Sequence, residues 1–137
     1  MAGYSPRPLV AKLGIKPGTK VAFLAAPPGY ATTLGELPPG VIVSRAVRGP
    51  QSFVHVFTKS RADLAKRLRT LNKSLRDDGM IWVSWPKKAS GVATDITEDS
   101  VREVALPLGL VDVKVCAVDD VWSGLKLVRR VANRARS

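Results

Sequence analysis

The sequence has few of the residues that build redox and metal sites. Its 137 residues include one cysteine, Cys116, and one histidine, His55. A single cysteine excludes an internal disulfide and suits a reducing compartment such as the cytoplasm. One cysteine and one histidine do not assemble the usual zinc ligand sets, and no Ser-His-Asp or Cys-His arrangement has a suitable spacing. Both residues lie in apolar runs, which predicts that both are buried and that neither is catalytic.

Long hydrophobic segments are also absent. The apolar runs have the length of strands and are too short to span a membrane, and the first residues lack the apolar region of a secretory signal. The hydrophobic fraction is 45% and the charged fraction 24%, which is ordinary for a globular domain. We therefore expect a cytoplasmic protein with no membrane partner. The length predicts one domain over residues 1–137, with a short N-terminal arm and a basic tail at residues 131–137.

Acidic residues are scarce. The chain has 22 lysine and arginine residues against 11 aspartate and glutamate residues, a formal net charge of +11. Up to residue 61 the only acid is Glu36, and residues 126–137 contain none. An excess of positive charge favours an anionic partner, either a small molecule or a nucleic acid, although it also keeps a small protein soluble.

The hydrophobic pattern predicts strands that alternate with helices. Short apolar runs indicate strands at residues 20–26, 41–44, 52–57, 80–85, 112–118 and 123–130. Helical spacing indicates long helices at residues 60–75 and 96–106 and short helical turns at residues 8–13 and 31–37. Strands interleaved with helices predict one Rossmann-like, mostly parallel α/β sheet. The short connection between the last two strands predicts that this sheet ends in an antiparallel hairpin.

Polar residues mark the expected ends of the two long helices. Ser60 with Asp63, and Asp95 with Glu98, have the spacing of a capping box at a helix start. The DDG run at residues 77–79 predicts a turn between the first long helix and the fourth strand.

Two stretches resemble the S-adenosylmethionine-dependent methyltransferases. The run LRDDGMIW at residues 75–82 is similar to that family's stretch after its fourth helix, and IKPGTKV at residues 15–21 is similar to the approach to its first strand. A parallel sheet that ends in helix, strand and hairpin is also that family's pattern. The resemblance covers roughly residues 13–130 and implies a Rossmann-like fold with a cofactor site after the first strand.

The cofactor end of this pattern is degenerate. In the family, a glycine-rich loop of GxGxG type follows the first strand, and an acid that holds the ribose ends the second strand. Here the first place contains AAPPGY at residues 25–30, and the second contains Ser44, Arg45 and Ala46. Glycines let the backbone approach a ligand, whereas two prolines remove N–H donors. The resemblance therefore implies a degenerate methyltransferase fold and leaves the cofactor unknown.

A closer similarity is to a bacterial family of small proteins known only as a domain of unknown function. It rests on GYS at residues 3–5, WPKK at 85–88, TD at 94–95, VRE at 101–103, LVDVKVCA at 110–117 and WSGL at 122–125. These stretches extend over nearly the whole chain. The similarity implies membership of that family and carries no activity.

The geometry of α/β sheets indicates where a ligand would bind. Ligands bind outside the carboxyl ends of the strands, where the segments that follow the strands come together. Aromatic faces, lysines and small hydroxyl residues in these segments suit a planar or phosphorylated ligand. The candidate ligand-binding residues are Gly29, Tyr30, Trp85, Lys87, Lys88, Ser90, Thr94, Asp119, Trp122 and Ser123.

Several candidates also have a structural explanation. The two lysines of the WPKK run suit a solvated turn, or a pair with Asp119 or Asp120. Two aspartates in a hairpin turn serve the turn itself as readily as acid-base chemistry. Tryptophan usually packs in a core, and Trp82 and Trp85 should point to opposite faces of one strand.

The sequence supports three functional hypotheses. The first is a non-catalytic binding or interaction module that holds an anionic ligand or partner in the cleft at the carboxyl ends of the strands. The second is a divergent S-adenosylmethionine-dependent methyltransferase. The third is a nucleic-acid-binding protein that uses the basic helix at residues 60–75 and the C-terminal tail. Binding of a methyl donor would favour the second hypothesis, and a steep fall of affinity with salt would favour the third.

Overall fold

Six strands form one sheet in the computed structural model, which describes residues 8–130. The strands are β1 (Lys20–Leu24), β2 (Ile42–Ser44), β3 (Gln51–Phe57), β4 (Leu75–Pro86), β5 (Leu110–Ala117) and β6 (Trp122–Arg129). The helices are α1 (Leu9–Leu13), α2 (Tyr30–Leu34), α3 (Arg61–Ser74) and α4 (Glu98–Ala105), with short 3-10 turns at Lys88–Ser90 and Leu106–Leu108. The predicted N-terminal arm with its GYS run and the predicted basic tail lie outside the described residues.

The strand order across the sheet is β2-β1-β3-β4-β6-β5. The first four strands in this order are parallel, β6 runs antiparallel to β4, and β5 and β6 form an antiparallel hairpin. This confirms the predicted Rossmann-like α/β class with a mostly parallel sheet and a terminal hairpin. Because parallel strands end at the same edge, the segments after β1, β2 and β3 meet at one edge of the sheet.

Two hydrophobic clusters lie on opposite faces of the sheet. On what we call the α3 face, α3 and α4 pack side chains such as Leu68 and Val101 against the strands. On the α1 face, α1 and α2 do the same with side chains such as Leu13. Trp85 belongs to the cluster on the α3 face and Trp82 to the cluster on the α1 face, so the prediction of opposite faces is confirmed.

The two residues noted for their scarcity are both buried, as predicted. His55 is 0% exposed in the middle of β3, and Cys116 is 8% exposed in β5. Between residues 8 and 130, no three histidine, cysteine, aspartate or glutamate side chains are grouped so that they could hold a metal ion. No helix in the same range is long and apolar enough to cross a membrane.

α3 begins where the sequence predicted, but its capping is different. The Ser60 hydroxyl accepts a hydrogen bond from the Asp63 backbone N–H at 3.3 Å, which is half of a capping box. The Asp63 carboxylate does not return the contact to Ser60. It accepts instead from the Thr58 hydroxyl at 2.8 Å and from Arg67 at 3.0 Å.

The turn predicted at residues 77–79 is wrong. α3 ends at Ser74, and β4 begins at the next residue and continues through the DDG run. The pairing with β3 shifts between Gln51–Leu75 and Phe53–Met80, so the extra residues of β4 form a bulge. Gly79 is required by close packing, because a Cβ atom there would lie 2.7 Å from Leu75 Cδ1 and 2.9 Å from the Gln51 carbonyl oxygen.

The capping box predicted for Asp95 and Glu98 is also wrong. α4 is capped by Thr97 and Ser100, whose side chains each accept from the other's backbone N–H, at 3.1 Å and 3.2 Å. Asp95 accepts a hydrogen bond from the backbone N–H of Arg61 at 2.7 Å, at the start of α3. Asp95 therefore accepts a hydrogen bond at the start of α3 and does not cap α4, the helix that follows it in the sequence.

Candidate ligand-binding site

A groove of about 600 Å³ opens at the carboxyl ends of β1 and β2, on the α1 face. It lies between the loop at residues 25–29, α2 and the end of β2. Its walls are mostly apolar. The lining residues are Phe23, Ala25, Ala26, Pro27, Pro28, Gly29, Tyr30, Ala31, Leu34, Gly35, Leu37, Val43 and Arg45.

The loop at residues 25–29 ends β1 two residues earlier than predicted. Ala25 has a left-handed backbone with φ of 57°, and Gly29 has φ of 86°. Such a conformation costs a non-glycine residue roughly 1–2 kcal/mol, and it persists only where the surrounding structure imposes it. The backbone N–H of Tyr30 donates to the Pro27 carbonyl at 3.1 Å, which closes the loop and starts α2.

The loop directs Tyr30 into the protein, where it joins a chain of buried polar groups. Its hydroxyl lies 2.6 Å from His55 Nδ1, and His55 Nε2 lies 2.7 Å from the Ser84 hydroxyl oxygen. The two hydroxyl groups satisfy both ring nitrogens of a neutral imidazole. Burial lowers the pKa of His55 to about 3 and raises the pKa of Tyr30 well above its ordinary value.

Ser84 and His55 have the distance of a nucleophile and its base, but no substrate can reach them. Both residues are 0% exposed, and Tyr30 is 4% exposed. The chain of three residues therefore ties α2, β3 and β4 together beneath the groove and is structural. The apolar run around His55 predicts its burial but indicates neither hydrogen-bond partner, because both are more than 20 residues away along the chain.

The charge of the groove comes from Arg45. Among the residues that line the groove, Arg45 is the only charged one, and it is exposed directly after β2. The neighbouring Ser44 hydroxyl is already used in a local turn, since it donates to the Ala46 carbonyl at 2.7 Å and accepts from the Ala46 N–H at 3.2 Å. The groove thus combines apolar walls with one exposed positive charge.

The other side of the same loop borders a second depression of about 460 Å³. It lies at the carboxyl end of β3, between the loop at residues 25–29 and the start of α3. Trp122, Phe57, Thr58, Asp63 and Arg67 line it. Asp63 and Arg67 pair with each other at 3.0 Å. Lys59 also lines this depression, is exposed and pairs with no acid of residues 8–130, so the depression has one uncompensated positive charge, as the first groove does.

The structure does not bring all ten predicted ligand-binding residues into one groove. Gly29 and Tyr30 line the first groove, and Trp122 lines the second depression. Trp85 is 6% exposed and packs on the α3 face. Ser123 pairs with Trp85 across the β4–β6 ladder and is half-buried.

The remaining predicted residues belong to loops with local hydrogen bonds. Ser90 donates to the Lys87 carbonyl at 2.6 Å, and Thr94 donates to the Lys59 carbonyl at 2.7 Å. Asp119 accepts from the backbone N–H groups of Val121 and Trp122 in the β5–β6 turn. Within the described part of the chain, Lys87 and Lys88 form no ion pair with an aspartate or glutamate. Ligand binding by these residues stays a prediction.

The fold is that of the S-adenosylmethionine-dependent methyltransferases. It is similar to Aeropyrum pernix fibrillarin in complex with S-adenosyl-L-methionine, with 13% identity, TM-score 0.61, and 85% of this chain and 69% of that chain covered. It is also similar to magnesium protoporphyrin IX methyltransferase from Synechocystis with bound S-adenosylmethionine, with 13% identity, TM-score 0.59, and 89% and 74% covered. A ribosomal protein L11 methylase from Lactobacillus delbrueckii subsp. bulgaricus gives 13% identity, TM-score 0.56, and 88% and 74% covered.

The chain itself belongs to the family described as a protein of unknown function (DUF3052), whose family model matches residues 52–131. The predicted membership of a family of unknown function is thereby confirmed. Comparison with curated proteins finds no match.

The residues of the groove do not fit S-adenosylmethionine held in the manner that the resemblance implies. No carboxylate lines the groove, so the ribose hydroxyls find no acid there of the kind that the family uses. Pro27 and Pro28 provide no N–H groups in the loop after β1. The sulfonium of that cofactor is a cation, and the only charged side chain in the groove is a cation as well.

Proposed function

We propose that this protein is a binding module for a small anionic molecule with a planar, apolar part, and that the groove after β1 and β2 holds it. The observation that carries the proposal is the lining of the groove, which contains apolar side chains, no acid, and Arg45 as the single charge. A nucleoside monophosphate has the required chemistry, since its base is planar and its phosphate is anionic.

The location of the groove supports this proposal. Ligands of open α/β sheets bind outside the carboxyl ends of the strands, and the groove lies at the ends of two neighbouring parallel strands. In dinucleotide-binding folds, an acid near the second strand suits ribose hydroxyls, whereas an arginine accommodates a phosphate. Arg45 stands directly after β2, and its planar guanidinium can donate two parallel hydrogen bonds to a phosphate or carboxylate.

The fold neighbours support a second candidate function, a divergent S-adenosylmethionine-dependent methyltransferase. Two of the neighbours described above contain that cofactor. In this chain the candidate would need contacts other than the family's ribose acid and glycine-rich loop. The two candidates differ in the group that their ligand places beside Arg45, which is an anion in the first and the neutral ribose in the second.

Replacing Arg45 tests the proposal. We expect nucleoside monophosphates to bind more tightly than their parent nucleosides, because only the former carry the phosphate. Arg45→Gln should remove most of this difference, about tenfold or more in Kd, as charge-assisted hydrogen bonds contribute about 1.5–3 kcal/mol. Isothermal titration calorimetry with the four common nucleosides and monophosphates measures the Kd values. Arg48→Gln is the matched control, because Arg48 is also exposed but does not line this groove.

Two results would contradict the proposal. One is binding of S-adenosylmethionine with no binding of any monophosphate, together with equal or tighter binding of the methyl donor by Arg45→Gln, which would favour the methyltransferase. The other is the absence of any binding in the panel, which would show that the groove does not recognise this class of ligand.

A further inference from the structure

Four lysines gather on the α1 face at the opposite edge of the sheet from the groove. We call them the lysine patch: Lys12 in α1, Lys16 in the loop after α1, Lys114 in β5 and Lys126 in β6. The groove lies at β1 and β2, whereas β6 and β5 are the last two strands at the other edge. The patch is therefore a separate surface.

Strand pairing and hydrogen bonds from side chains to backbone carbonyls fix the geometry of the patch. Lys114 and Lys126 are direct partners across the antiparallel ladder of β5 and β6, so their side chains leave the same face of the sheet. The Lys114 Nζ donates to the Lys12 carbonyl at 3.2 Å, which brings the end of α1 against β5. The Trp82 indole N–H donates to the Leu13 carbonyl at 2.9 Å and fixes the same end of α1 on the sheet.

The positive charges of the patch repel one another. Burial lowers the pKa of Lys126, and the nearby charges of Lys114 and Lys16 lower it further. None of the four lysines forms an ion pair with an aspartate or glutamate of residues 8–130. Asp112 of β5 accepts instead from Arg102 of α4 at 2.9 Å, on the α3 face.

The basic surface of α3 has a different electrostatic character. Arg61 pairs with Glu103 at 3.1 Å, and Arg67 pairs with Asp63 at 3.0 Å. Part of the positive charge at residues 60–75 is thus neutralised within the protein itself. No such pair with an acid of residues 8–130 occurs in the lysine patch, so its four charges are left for an external partner.

Protection of an edge strand explains only part of the patch. β5 is at the edge of the sheet, and a lysine beside a bulge is a common way to prevent strands from pairing between molecules. Lys114 fits this role, since the β5 register shifts between Asp112 and Lys114. Lys126 is in the interior strand β6, and Lys12 and Lys16 are in no strand, so the role does not account for them.

We infer that the lysine patch binds the phosphate backbone of a nucleic acid. Lysine is depleted in interfaces between proteins, which need an apolar core, whereas interfaces with nucleic acids are strongly positive. The four side chains are point charges without the fixed fork that reads base edges. The binding should therefore be independent of sequence and should weaken as salt rises.

Charge reversal on the two faces of the protein tests the inference. The patch variant is Lys16→Glu with Lys114→Glu, both exposed positions. The control is Lys66→Glu with Lys73→Glu, two exposed lysines of α3 that produce the same change in net charge. Fluorescence anisotropy with a short mixed-sequence DNA duplex measures Kd over a range of salt concentrations. The expected result is an affinity at low salt reduced by about tenfold or more, and a slope of log K against log salt that is shallower by about 1.8, in the patch variant only.

Each other outcome overturns the inference. Loss of binding in the α3 variant alone would assign the nucleic acid to the helix at residues 60–75. Equal loss in both variants would show a response to net charge only, and no binding by the unmodified protein would exclude this partner. If polyglutamate binds as tightly as the duplex, and the patch variant loses this binding too, the partner would be an acidic protein and not a nucleic acid. If the patch variant does not fold, Lys16→Gln with Lys114→Gln replaces it, with Lys66→Gln and Lys73→Gln as control.

Discussion

The His55 imidazole is a buried group whose pKa differs between the folded and the unfolded protein. It is enclosed between the hydroxyls of Tyr30 and Ser84, and no acid is hydrogen-bonded to it. Its pKa is about 3 in the folded protein because burial disfavours the charged form, whereas a histidine in an unfolded chain has its ordinary pKa near 6.5. The unfolded state therefore binds a proton more readily than the folded state between these two values.

The free energy of unfolding should fall as the pH decreases from about 6.5 towards 3, by up to about 1.4 kcal/mol per pH unit. Well above pH 6.5 the imidazole is neutral in both states, so the free energy of unfolding no longer depends on its titration. Urea denaturation at several pH values measures this slope. In His55→Gln, which has no titratable group at this position, the slope between pH 6.5 and 5 should be close to zero.

A direct measurement is possible even if that variant does not fold. His55 is the only histidine of the chain, so its ring protons are identified without assignment by mutation. Their NMR shifts should not change between pH 8 and about 5 in the folded protein. A titration near pH 6.5 would mean that the imidazole is exposed to solvent and is not enclosed by the hydroxyl groups of Tyr30 and Ser84.

At the scale of the element, the junction between α3 and β4 depends on one arginine of β6. Arg129 donates to the Asn72 side-chain oxygen at 2.7 Å and to the backbone carbonyls of Asn72 and Leu75 at 2.6 Å and 2.7 Å. These carbonyls lie at the end of α3, where no further helical turn supplies N–H groups that could donate to them. The guanidinium of Arg129 therefore fixes the junction of α3 and β4, close to the place where the DDG run predicted a turn.

Arg129→Lys should destabilise the protein by about 1–3 kcal/mol, because a lysine keeps the charge but cannot reach three acceptors in one plane. The matched control is Arg130→Lys at the next position, which is exposed and should change stability by less than about 0.5 kcal/mol. Urea denaturation at neutral pH measures both values. Equal effects of the two substitutions would show that charge alone matters at the end of β6.

At the scale of the molecule, the sheet links the two hydrophobic clusters. Val21 and Ala22 of β1 belong to different clusters, and so do Trp82 and Trp85 of β4. The same strands therefore form part of both clusters. If the packing on one face is lost, these strands lose half of their support, and the packing on the other face is weakened as well. The predicted single domain therefore requires that both faces unfold together.

Single-tryptophan variants measure each face separately. Trp82→Phe with Trp122→Phe leaves Trp85 as the reporter of the α3 face, and Trp85→Phe with Trp122→Phe leaves Trp82 as the reporter of the α1 face. Within each variant, the urea midpoint from fluorescence should coincide with the midpoint from far-ultraviolet circular dichroism. Separate midpoints would mean that the two faces form independent folding units.

The sequence was sufficient for the class of fold, because that class depends on local patterns. Apolar runs of strand length and the leucine spacing of residues 60–75 are properties of neighbouring residues, and the predicted alternation of strands and helices follows from them. It was insufficient at the DDG run and at Asp95. Both have the composition of a local turn or cap, but contacts with distant elements determined their conformation.

The amino-acid sequence by itself determined the α/β architecture, the burial of His55 and Cys116, and the opposite directions of Trp82 and Trp85. The tertiary structure decided which polar groups meet. The pairing of Lys114 with Lys126 depends on the register of two strands, and the place of Arg45 beside the loop after β1 depends on the order of strands in the sheet. Such contacts join residues far apart in the chain, and only the folded chain sets their distances.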